Sequence, residues 1–293
     1  MKAKEVEKCV FEVSLQAKSD AYEVRELLKE IFISLNVAPV QVVERVQRKI
    51  SWLSVYLSSR EKSDSFVKQI RGLKLKDIAV KCKALRQKDW QERWKENIRP
   101  FRLTNNFDVV PVWCKKAYRK NKRTPLYIDT TMAFGTGLHE TTRFMARLID
   151  EYRGQFDNFL DVGTGTGLLA LIAYECGAGQ VYALDIDKES IRVAKKNLQV
   201  NGYLLDNTRI GDFATCKLNK RFDFVAANLV THDLIALRRK IVASVNPGKF
   251  LAISGISLNN LRKLQQKFRP LPLRCLRVVK GKEWAALLYQ RTK

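Results

Sequence analysis

Two periodicities alternate along the second half of the chain. From Phe156 onward, short apolar runs predict strands at Phe159–Asp161, Gln180–Asp185, Thr208–Ile210, Phe222–Asn228, Phe250–Ser254, Leu273–Val279 and Trp284–Gln290. Helices fill the gaps after Gly167, Lys188, Thr231 and Ser257. The last two strands are separated by Lys280-Gly-Lys-Glu283, a hairpin turn. This order predicts an α/β fold: a doubly wound, seven-stranded, mainly parallel Rossmann-like sheet ending in an antiparallel pair.

The first 85 residues carry a different pattern. Cys9–Leu15 alternates as a strand, and Asp20 caps a helix with Val24, Leu27, Leu28, Ile31 and Leu35 at helical spacing. Pro39–Val43 and Ile50–Leu57 read as paired strands, Ser63 or Asp64 opens a second helix, and Asp77–Lys83 closes the unit as a strand. That is the split βαβ order of a small ferredoxin-like α+β domain. Trp90 and Trp94 then share one face of a helix that Pro100 ends, suited to docking on a neighbouring domain or, alternatively, to base stacking. A strand pair follows, around Phe107–Trp113 and Leu126–Asp129. The expected division is thus 1–85, a small binding domain; 86–128, a linker helix and basic strand-loop region; and 129–293, the large α/β domain.

Charge adds a partner class. The 293 residues hold 54 Lys and Arg against 30 Asp and Glu, a net of +24. Residues 60–123 carry 20 basic and 7 acidic side chains, and residues 238–293 carry 14 and 1. The stretch between them, 124–237, is slightly acidic, with 11 and 14. Two cationic zones of this kind favour polyanionic partners, nucleic acid or a ribonucleoprotein. The densest run, Lys115-Lys-Ala-Tyr-Arg-Lys-Asn-Lys-Arg123, is a solvated loop or a phosphate contact.

No apolar run approaches the ~18–20 residues of a membrane helix, and Met1–Lys8 has no apolar signal core, so a cytoplasmic protein without membrane contact is expected. The six cysteines lack any Cys-x-x-Cys spacing, so no metal site is expected.

The sharpest local signal is Asp161-Val-Gly-Thr-Gly-Thr-Gly-Leu168, placed after a strand and before an apolar helix. Gly163, Gly165 and Gly167 allow a sharp turn and close approach of a ligand to the backbone. A dinucleotide fingerprint would want glycine where Leu168 stands. Asp185 ends the next strand, where a carboxylate accepts hydrogen bonds from ribose hydroxyls. Asp212, after the third strand, takes an adenine amino group or is simply a turn residue.

The spaced glycines resemble motif I of class I S-adenosylmethionine (SAM) methyltransferases. Three further stretches narrow the resemblance: Met132-Ala-Phe-Gly-Thr-Gly-Leu-His-Glu-Thr-Thr142, Phe222-Asp-Phe-Val-Ala-Ala-Asn-Leu229 and Pro247-Gly-Lys-Phe-Leu-Ala-Ile-Ser-Gly-Ile256. With Asp185-Ile-Asp187, the Trp90/Trp94 helix and Glu283-Trp284, they resemble the bacterial ribosomal protein L11 lysine methyltransferases. The resemblance is strong from Trp90 onward and architectural before it. It implies a SAM-dependent enzyme, releasing S-adenosyl-L-homocysteine, that methylates amino groups, chiefly lysine ε-amines, of a ribosomal protein presented by the N-terminal domain. It also implies that Thr142, Gly163, Asp185 and Asn228 contact SAM, and that the Phe134–His139 loop, with Gly135 and Thr136, covers the cofactor and borders the lysine channel. Gly165, Gly167, Asp161 and Asp212 complete the cofactor set; Asn228, His139 and Phe134 are the catalytic candidates. Asn228 alternatively caps the next helix, and His139 is a proton relay or a structural group.

The chain departs from the family at Asp129-Thr-Thr131, where Asp-Pro-Gly is usual, at Thr164, where Cys is common, and in its charge. Contact with ribosomal RNA through the basic zones is therefore expected. Three other readings remain: an RNA methyltransferase, disfavoured because Asn228-Leu-Val-Thr231 lacks the Pro-Pro-aromatic of base-methylating enzymes; a methyltransferase acting on another protein in a ribonucleoprotein context; and a non-catalytic module that kept the fold.

Overall fold

The computed structural model describes residues 9–17, 42–47, 50–57, 60–72, 78–86, 99–129, 135–204 and 208–292. The chain forms two units, Met1–Asn97 and Ile98–Lys293.

In the first unit, β1 (Cys9–Ala17), β2 (Val42–Gln47), β3 (Ile50–Leu57) and β4 (Ile78–Arg86) make an antiparallel sheet in the order β2-β3-β1-β4. Helix α1 (Arg60–Gly72) packs on β1 and β4. Alternation explains the packing: Val13 and Leu15 lie on one face of β1, and they are buried along with Phe66 and Ile70 of α1. This is the strand order of the split βαβ pattern. Of the strand expected at Pro39–Val43, Val42 and Val43 lie in β2, paired with Val55 and Ser54; residues 39–41 lie outside the described residues. The helices expected from Asp20 and around Trp90 and Trp94 lie outside the described residues.

In the second unit, β5 (Phe101–Arg102), β6 (Phe107–Pro111) and β7 (Thr124–Ile128) form a small sheet. β6 and β7 run parallel. Trp113, expected at the end of a strand, sits in a 3-10 turn. Leu103, Phe107, Val109, Leu126 and Ile128 are buried in the same cluster as Phe144, Met145 and Ile149. Residues 101–128, within the expected linker-helix and basic strand-loop region, contribute apolar side chains to the core of the second unit.

That unit continues with α2 (Glu140–Glu151), β8 (Asn158–Val162), α3 (Leu168–Glu175), β9 (Gln180–Asp185), α4 (Lys188–Val200), β10 (Thr208–Ile210), β11 (Phe222–Asn228), α5 (Thr231–Ala243), β12 (Val245–Ser257), α6 (Leu258–Phe268), β13 (Leu273–Lys280) and β14 (Trp284–Arg291). The seven strands are ordered β10-β9-β8-β11-β12-β14-β13, with β8 to β12 parallel and β14 antiparallel to both neighbours. One apolar cluster joins the sheet to α2 and α3, and a second joins its other face to α5 and α6. The chain steps outward from β8 to β9 and β10, then returns to β11 on the other side of β8. The crevice at the carboxyl ends of β8 and β11 is the switch point where such sheets bind ligands.

Candidate active site

The glycine loop leaves β8 at this switch point. Gly163 and Gly167 have φ of 76° and 78°, in the left-handed region. A Cβ on Gly163 would stand 2.6 Å from Leu229 Cδ2, and one on Gly167 would stand 2.9 Å from Ala194 Cβ. The first glycine lets the loop pass the end of β11; the second lets α3 meet α4. Gly163 and Thr164 donate their N–H groups to the Leu184 carbonyl at 2.9 and 3.0 Å, which pins the loop to β9.

Asp185 closes β9 and faces this loop. Its Oδ2 accepts the Gly165 N–H at 2.9 Å, and its Oδ1 accepts the Asp187 N–H at 3.0 Å. Each oxygen keeps lone-pair capacity for a diol. Asp187 caps α4 through the Glu189 and Ser190 N–H groups. Ile186, between the two acids, is 75% exposed and leaves an aliphatic side chain on the surface beside Asp185; its isolation in a polar turn hid it from sequence reasoning.

A second loop crosses the first. Thr166 Oγ1 donates to the Gly135 carbonyl at 2.7 Å, and Thr136 follows it, half-buried. Phe134 lies outside the described residues. His139 is the N-cap of α2, its Nδ1 sitting 2.8 Å from Thr141 Oγ1 and its ring edge-on to Trp284 at a centroid distance of 5.2 Å. Its structural role as cap and packing partner is thus explicit. Glu140 accepts the Lys282 and Glu283 N–H groups at 3.1 and 3.4 Å, fastening the β13–β14 hairpin to this loop.

Thr142 Oγ1 and Asn228 Oδ1 are both buried and without a hydrogen-bond partner among the described residues. Val230 precedes α5 as its N-cap with no side-chain bond, so Asn228 is not the cap of that helix. Unpaired buried oxygens cost stability unless a ligand meets them. The glycine cradle, the Asp185 carboxylate and these two oxygens match an amino-acid-bearing nucleoside.

Two residues expected at the cofactor also bond within the loops, and Asp161 Oδ1 has no hydrogen-bond partner among the described residues. Asp161 has no exposed surface; it accepts the Thr164 hydroxyl at 2.7 Å and braces the loop from beneath. Burial pushes its carboxyl up to about 7, against the pull of the Thr164 hydroxyl and with the Asp185 charge adding to the rise. Asp212 accepts the Ala214 N–H through its Oδ1 at 2.8 Å, as a turn residue does, and stays exposed beside Asp185, whose carbonyl accepts the Gly211 N–H. His232, with a side chain 90% exposed, stands apart from this network. Leu138 and Val230, 47% and 52% exposed, place aliphatic surface on the loops at this end of the sheet.

The chain matches the family model described as ribosomal protein L11 methyltransferase (PrmA) over residues 6–292. The ribosomal protein L11 methyltransferase of Pelobacter propionicus is 32% identical over 212 residues, covering 71% of this chain and 68% of that protein. The protein of the same name from Staphylococcus saprophyticus is 30% identical over 218 residues, covering 74% and 70%. The crystal structure of ribosomal protein L11 methylase from Lactobacillus delbrueckii subsp. bulgaricus superposes with a TM-score of 0.61 at 26% identity, covering 67% of this chain and all of that one.

Proposed function

The chain belongs to the ribosomal protein L11 methyltransferase family, and from that premise we propose how its site works: it transfers methyl groups to lysine ε-amines of L11, the other amino groups being secondary acceptors. The observation that carries this reading is the pair of orphaned buried oxygens, Thr142 Oγ1 and Asn228 Oδ1, beside the glycine loop and Asp185.

SAM is the cofactor, and when bound it supplies an electrophilic methyl on a sulfonium. Asp185 accepts the ribose hydroxyls, Ile186 lies against the adenine, and Thr142 meets the amino-acid end. Asn228 Oδ1 accepts a hydrogen bond from the acceptor amine and orients its lone pair. Leu138 and Val230 line the approach of the lysine stem. A free lysine amine has a pKa near ~10.4. Desolvation between aliphatic walls, beside a cation, favours the neutral form. Alignment then supplies most of the acceleration, and no dedicated base is required.

The N-terminal unit presents the substrate protein. The chain works in the cytoplasm, and the basic zones at 60–123 and 238–293 contact ribosomal RNA. Within the first zone, Arg123 pairs with Asp108 at 2.6 Å and Lys115 bonds the Val200 carbonyl, leaving Lys116, Arg119, Lys120 and Lys122 exposed without ion-pair partners among the described residues. Among those residues, no helix is long and apolar enough to cross a membrane.

The test is incubation of the protein with methyl-labelled SAM, unmethylated L11 and ribosomal RNA, followed by separation of protein from RNA. Label in L11 supports the reading; label in RNA replaces it with base methylation. No label, with SAM bound, leaves a non-catalytic fold.

A further inference from the structure

Part of the C-terminal basic zone lies on one helix face. Helix α6 buries Leu261, Leu264 and Phe268 against the sheet and turns Arg262, Lys263 and Lys267 outward, with Arg269 at its end. These four cations span about 10 Å along the helix. None has an acidic partner among the described residues. Beside them runs β13, the edge strand of the seven-stranded sheet, with Lys280 also exposed. A groove of ≈ 390 Å³ separates helix from strand; Arg262 and Arg269 stand on its rim with Gln265 and Gln266, above a floor that includes Phe268 and Tyr289. From Leu258 to the end of the chain, Glu283 is the sole carboxylate side chain, and Glu140 on α2 holds its backbone N–H.

Such a surface opposes charge burial in a protein interface but suits phosphates, which release counterions as they bind. The exposed amide side chains of Gln265 and Gln266 on the rim also suit the edge of an unpaired base. We propose that the α6–β13 face binds an RNA strand, its phosphates on Arg262, Lys263, Lys267 and Arg269. This rests on the reading that the enzyme meets its substrate in a ribonucleoprotein setting. An acidic protein segment is the competing occupant, and it lacks the regular spacing of charge along one strand.

The experiment measures binding of a labelled single-stranded RNA oligonucleotide to the full chain as salt is varied. In a variant with Arg262, Lys263, Lys267 and Arg269 all replaced by Gln, the proposal predicts a slope of log affinity against log salt shallower by about 3, and affinity at low salt reduced roughly tenfold or more across RNA sequences. Exposed Gln keeps helix propensity and the buried face is untouched; SAM binding by calorimetry confirms the fold of each variant. The same exchange of Lys188, Arg192, Lys195 and Lys196 on α4 removes equal charge from another face and is expected to change the slope little.

Unchanged RNA affinity and slope in the α6 variant, equal loss in the α4 variant, or displacement of the RNA from wild type by polyglutamate at lower concentration than by unlabelled RNA would each overturn the proposal. Methylation of isolated L11 is read separately. Its absence in wild type counts against the proposed function alone, whereas normal methylation with an unchanged RNA slope counts against this surface alone.

Discussion

The Gly165 N–H donates to Asp185 Oδ2 at 2.9 Å, so the glycine loop and the acid at the end of β9 are one structure. In the proposed site the carboxylate therefore does two jobs: it holds the loop, and it offers its remaining lone pairs to a diol. Asp185→Ala removes both. Hydrogen bonds to a charged group contribute ~1.5–3 kcal/mol each, so SAM affinity should fall by about two orders of magnitude in calorimetry. Asp185→Asn should also bind poorly, because the amide NH2 must face either the Gly165 or the Asp187 N–H. Binding within a factor of about two of wild type, little more than the scatter of surface substitutions, would remove Asp185 from the site.

Trp284 braces the other loop. Its ring meets His139 edge-on, and Glu140 beside it holds the hairpin backbone. An aromatic pair of this geometry contributes ~0.5–1.5 kcal/mol beyond its burial. Trp284→Ala should therefore weaken SAM binding by about threefold to tenfold while the fold persists, as circular dichroism would confirm. A loss confined to thermal stability, with SAM affinity unchanged, would mean that the hairpin does not set the loop.

Gly163 leaves no room for a side chain. Gly163→Ala combines a positive φ with a Cβ 2.6 Å from Leu229. The backbone term alone costs ~1–2 kcal/mol, and the contact adds to it. Chemical denaturation should report a loss of about 2 kcal/mol or more, together with weakened SAM binding. Gly163→Ala combined with Leu229→Ala should recover part of the stability, since it removes the contact and not the φ.

Asp161 gives the protein a pH signature. Its carboxyl is pushed up to about 7 in the folded chain from 3.8. The folded state thus holds a proton that the unfolded state releases between these values, and stability falls as pH rises from about 4 to 7, then levels. The full shift corresponds to roughly 4 kcal/mol. Asp161→Asn has no charge to bury, so its stability relative to wild type should rise across this interval. Urea titrations at pH 5 and pH 8 measure the difference; a constant gap between the two proteins would show that Asp161 is ionised throughout.

Much of this architecture is readable from periodicity. The strands ending at Asp185 and Asn228, and the helices after Gly167 and Lys188, are marked by apolar runs with turn and cap residues at their ends. Long-range pairing is not marked in this way. The parallel match of β6 to β7 depends on partners across a loop, and the register of β12 runs through Pro247-Gly248, which reads locally as a break. The site divides similarly. The glycines and Asp185 announce themselves by spacing, but Asp161 and Thr164 reveal their mutual hydrogen bond only in three dimensions. His139 is a chemical candidate in sequence, and its cap role and its contact with Trp284, which lies far along the chain, are visible only in the fold. Ile186 and Val230 gain meaning from their exposure, which no pattern encodes.

The most direct measurement is mass spectrometry of purified, unmethylated L11 after incubation with SAM and this protein, with peptides mapped to the modified atom. Methyl groups on lysine ε-amines, absent when Asp185→Ala replaces wild type, are the predicted result. Unmodified L11 under conditions where wild type binds SAM tightly would contradict the account.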